Sequence, residues 1–66
     1  MSENERKNDI LMAIKKRLLE NKEYLHFNVD IIYISDIENM LSETNYQIIY
    51  IDKLFFTADL FLKRCD

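Results

Sequence analysis

The sequence predicts an all-α fold: a small three-helix unit over about residues 3–25, 30–43 and 46–64, completed by dimerisation. Three observations predict it. The 66 residues include no Gly and no Pro, the residues that tight hairpins and rigid turns use most. Ser2 to Glu5 matches the Ser-x-x-Glu capping box that starts a helix. Apolar residues from Ile48 to Cys65 recur in steps of three and four, as on one side of a helix.

The first helix starts after Ser2, whose hydroxyl accepts from a free backbone N–H while Glu5 returns to the cap. Ile10, Leu11, Ile14, Leu18 and Leu25 form its apolar stripe, and Lys7, Lys15, Lys16, Lys22 and Glu23 look outward. His26 to Asp30 is a connection, because Asn28 and Asp30 have short side-chain oxygens that cap a following helix. In the second helix Val29, Tyr33, Ile37, Met40 and Leu41 share a stripe, and residues 42–45 supply a polar stop. An α+β alternative stands beside this reading, with short strands near 29–34 and 46–51. Its basis is the β-formers of Val29 to Ile34, followed by a second Ser-x-x-Glu box at Ser35 to Glu38, with Tyr46 to Ile51 as the candidate partner; Ile31-Ile32-Tyr33-Ile34 also recurs as Ile48-Ile49-Tyr50-Ile51.

The third helix carries the functional expectation. Ile48, Ile51, Phe55, Ala58, Leu62 and Cys65 make its core seam, widened by Leu54 and Phe61. Ile49, Phe56 and Leu60 then fall on a second side, bordered by Lys53. So short a chain has too little material to cover both sides, so Ile49, Phe56, Leu60 and Lys53 are the expected partner or dimer interface.

Charge narrows the partner. Residues 28–52 contain Asp30, Asp36, Glu38, Glu43 and Asp52 and no base, within a chain of net charge −3. This acidic surface repels a phosphate backbone, which argues against general nucleic-acid binding. No apolar run long enough for a secretory signal or a membrane span occurs, so the expectation is a cytoplasmic protein off the membrane. Cys65 is the one cysteine and His26 the one histidine, too few for a disulfide or a recognisable metal site, and no cofactor is expected. The carboxylate pairs Asp36/Glu38 and Asp52/Asp59 are spaced too widely on a helix for one ion. Nor does either residue suggest a nucleophile and base pair, so no enzymatic activity is expected. The tyrosines and Phe27 are read as packing residues.

Together these features suggest a small regulatory or adaptor protein that binds another protein, such as a nucleic-acid-binding protein, or a second copy of itself. The alternative is a helix-turn-helix or winged-helix-like DNA-binding regulator, motivated by three helical segments and the Lys15-Lys16-Arg17 cluster. Usage of Ile, Asn, Lys and Tyr suits an AT-rich bacterial or phage coding sequence.

Overall fold

A computed structural model describes residues 3–65 and shows an α+β fold. Helix α1, Glu3–Leu18, is followed by strand β1, Tyr24–Asp30, and a short 3-10 turn, Ile31–Tyr33. That turn runs directly into helix α2, Ile34–Leu41; strands β2, Tyr46–Leu54, and β3, Thr57–Arg64, form a hairpin. The sheet has the order β1-β3-β2 and is antiparallel throughout, with β3 in the centre.

The all-α three-helix expectation is therefore wrong, and with it the idea of a helical bundle. The first helix stops at Leu18 rather than 25, because Asn21 takes φ 57° and ends the spiral. Asn tolerates this left-handed region better than most residues and here occupies the place a terminating Gly often fills. From Tyr24 the chain alternates, with Leu25 and Val29 buried and Tyr24, His26 and Asn28 exposed, which is a strand pattern of period two. Residues 31–41 are helical, close to the expected second helix, but Ser35 is not its cap: the 3-10 turn supplies the start. Ser2, of the first capping box, lies outside the described residues. Of the α+β alternative, the strand near 46–51 lies within β2, whereas 31–34 are helical.

The largest error concerns 46–64. Tyr46 and Ile48 face the helices; then Ile49 bulges out, since Ile48 pairs with Leu62 and Tyr50 with the very next residue back, Phe61. The bulge reverses the parity of β2, so Ile51 faces inward, opposite Leu60. The turn at Phe55 and Phe56 resets it again, and Ala58, Leu60 and Leu62 point inward. The bulge gives the step of three from Ile48 to Ile51, whereas Phe55 continues the apparent helical spacing from an exposed turn and not from the core.

Both helices lie on one face of the sheet. Ile14 from α1, Ile37 and Leu41 from α2, and Leu25, Val29, Tyr46, Ala58, Leu60 and Leu62 from the strands form the core with Tyr33. At the far end of the sheet the Tyr46 hydroxyl donates to the Lys22 carbonyl, and Arg64 Nη1 donates to the Asn21 carbonyl. Among the described residues no buried side-chain nitrogen or oxygen lacks a hydrogen-bond partner. The polar interior is thus satisfied, and the other face of the sheet carries no layer among these residues.

Candidate protein-binding surface

The uncovered face is set by the register. Tyr24, Lys63 and Gln47 form one cross-strand row; His26, Phe61 and Tyr50 the next; Asn28, Asp59 and Asp52 the third; Thr57 and Leu54 lie nearest the hairpin tip. Successive rows are about 6.4–6.8 Å apart, two residues of strand rise.

The second row is aromatic across all three strands. His26 stacks on Phe61 with ring centres 4.7 Å apart and planes 21° apart, and Tyr50 meets Phe61 at 5.7 Å. Phe61 is 37% exposed, and His26 and Tyr50 more so. Beside this row Asn28 Nδ2 donates to Asp59 Oδ1 at 2.9 Å, and His26 Nε2 stands 3.1 Å from the same oxygen. The Asn28 hydrogen bond holds the Asp59 carboxyl below its ordinary value, partial burial opposes this, and His26 adds to the lowering. Asp52 lies directly opposite Asp59, a like-charge cross-strand pair. In the first row Lys63 Nζ sits 5.8 Å from the Tyr24 ring.

The hairpin tip is apolar and nearly unshielded. Leu54 pairs with Thr57, so Phe55 and Phe56 form a two-residue turn. Phe55 has φ 41°, a positive value at the first central position, where Gly is the usual occupant. Phe55 is 97% exposed and Phe56 87%. The Ile31 N–H donates to the Phe56 carbonyl at 2.9 Å, which fixes the tip against the 3-10 turn and brings Ile32, also exposed, to the same end.

The expected interface does not assemble. Leu60 is fully buried in the centre of the sheet and cannot line a surface of this fold. Ile49 is exposed at the β2 bulge, seven positions from Phe56 and toward the other end of the strand; Lys53 is exposed next to the tip. Of the four, Phe56 and Lys53 stand at the tip, and Phe56 is the apolar group a partner could grip there. Nor do the five acids share one surface. Asp30 pairs with Arg6 at 3.1 Å and Asp36 with Lys7 at 3.9 Å, both bases from α1. Glu38 and Glu43 are exposed on and just after α2, and Asp52 is on the open sheet face.

The Lys15-Lys16-Arg17 cluster also diverges: Arg17 bonds Glu20 at 2.8 Å and covers the Phe27 ring. Helices α1 and α2 are separated by β1, so no two α-helices joined by a short turn occur among the described residues. No described helix is long and apolar enough to cross a membrane.

The helix reading places Phe55 and Phe61 in a core seam, Tyr50 among packing residues and His26 in a surface connection rather than a strand. The alternation of Tyr24, His26 and Asn28 with Leu25, Phe27 and Val29 was the available signal. No protein-family model matches the chain, and comparisons with curated proteins and with solved structures give no match.

Proposed function

We propose that this chain is a small, non-enzymatic regulatory protein of the cytoplasm that works by binding another protein, anchored through its hairpin tip. The observation that carries the reading is Phe55. A bulky side chain at positive φ costs about 1–2 kcal/mol, and this one is held there with its ring almost wholly in water. Gly or Asn would make the same turn with less strain, but neither would present a ring at the tip. Exposed aromatic groups of this kind are the usual anchors of protein interfaces.

The tip suits a pocket on a different protein better than a second copy of itself. Each Phe offers roughly 150–250 Å² of contact area. Two of them with Leu54 and Ile32 fall short of the ~800 Å² per partner of a stable interface, so tip-to-tip dimers would be weak. A partner that encloses the tip and continues onto the open sheet face reaches the required area.

The test is affinity capture from the native host with the intact chain, Phe56→Asp, and Glu43→Lys as a surface control. A protein retained by the intact chain and the control, and reduced about tenfold or more by Phe56→Asp, is the expected result. Equal retention by a folded Phe56→Asp variant would refute the reading.

A further inference from the structure

We propose that the open sheet face takes an extended, arginine-bearing segment of the partner, with a guanidinium lying on the Phe61 and Tyr50 row and its N–H groups directed at Asp52 and Asp59. This rests on the protein-binding reading and adds the partner's chemistry.

An aromatic row beside a carboxylate row presents a flat π surface and, about 7 Å away along the strands, oxygen acceptors. Guanidinium matches both, since it is planar, stacks on rings and donates in a fork to carboxylates. An ammonium has only the charge. Both hydrogen bonds that Asp59 receives from Asn28 and His26 use Oδ1, so Oδ2 remains for a ligand. Asp52 lies across from it without an ion pair among the described residues, and a cation between the two relieves their repulsion.

Charge complementarity sets the class of partner. Around the aromatic row the strands present Asp52 from β2, Asp59 and Lys63 from β3, and His26 from β1. Lys63 lies on the far side of the row from the carboxylates, over Tyr24. A single nucleic-acid strand stacked on these rings would meet one lysine and two carboxylates, whereas single-strand platforms are lined by cations. An extended peptide repeats its side chains every second residue at the spacing of the rows, so one segment can address several of them.

The test titrates blocked eight-residue peptides, alternating arginine or lysine with serine, and a ten-nucleotide thymidine strand into the intact protein. Backbone amide NMR shifts report the location, and tyrosine fluorescence the affinity. The arginine peptide should perturb the rows of Phe61 and Asp59 and bind about threefold or more tightly than the lysine peptide, the margin expected of exposed stacking. Asp52→Asn should weaken it about tenfold, as for the loss of a charge-assisted hydrogen bond. That variant removes a like-charge opposition, so its fold is expected to persist, with circular dichroism as the check. Equal affinity for the two peptides, shifts elsewhere on the protein, or no binding at millimolar peptide would overturn the assignment. Tighter binding of the oligonucleotide on the same rows would replace it with a nucleic-acid platform. Phe56-dependent capture that survives any of these outcomes leaves the anchor intact and removes only the arginine.

Discussion

The two faces of β3 belong to different environments, although their residues alternate along one strand. Ala58, Leu60 and Leu62 are fully enclosed beneath the helices, while Asp59, Phe61 and Lys63 meet solvent on the other side. Adjacent residues of similar hydrophobicity thus do unlike things: Leu60 holds the fold together and Phe61 presents a ring. The comparison teaches that strand parity, rather than apolar character, separates scaffold from surface in this chain.

Replacing the two neighbours gives the sharpest contrast. Leu60→Ala should cost about 2–5 kcal/mol, a large share of the stability of so small a domain, whereas Phe61→Ala should cost about 1 kcal/mol from its lost ring contacts. Urea unfolding followed by circular dichroism measures both, and equal losses would abolish the distinction between the faces. The tip is next in size. Phe55→Asn should stabilise the fold by about 1 kcal/mol by relieving the left-handed backbone, raising Tm by about 4–8 °C. The same substitution should weaken partner capture, so a variant less stable than the parent would contradict the strain argument.

The smallest effect is electrostatic. Asp59 is held below the ordinary carboxylate value first by Asn28 and then by His26, against the opposing effect of partial burial. Its ionised form therefore favours the folded state above the unfolded value of about 3.9, and that contribution disappears as pH falls through the lower folded value. Asn28→Ala should move the Asp59 carboxyl titration, followed by carbon NMR, upward toward the unfolded value. An unmoved titration would assign the shift to other neighbours.

Much of the helical layer was legible from residue pattern. Ile10, Leu11, Ile14 and Leu18 repeat as a helix stripe over a region that is helical, and Tyr33, Ile37 and Leu41 do so in the second helical segment. The strands were hidden for separable reasons. Asn21 carries the stop after α1 without the Gly that usually signals it, and Phe55 does the same for the hairpin turn. Ile49, as a bulge, broke the alternation of β2 just where it would have been read. Of the candidate surface, Phe56 could be singled out as an apolar group in excess of what the core needs. Phe61 and Tyr50 could not, because the side they share with His26 exists only after three strands distant in sequence have paired.

The central position of β3 also shapes how the protein is made. Both outer strands precede it in sequence and neither can pair with the other, so a nascent chain has no sheet to form until β3 emerges from the ribosome. Until then Leu25, Val29 and Tyr46 have no strand to lie beside, and chaperones or a waiting partner would meet them first. A premature stop codon between residues 55 and 57 would therefore leave two helices and two orphaned strands, a product for proteases rather than a shortened version of the protein.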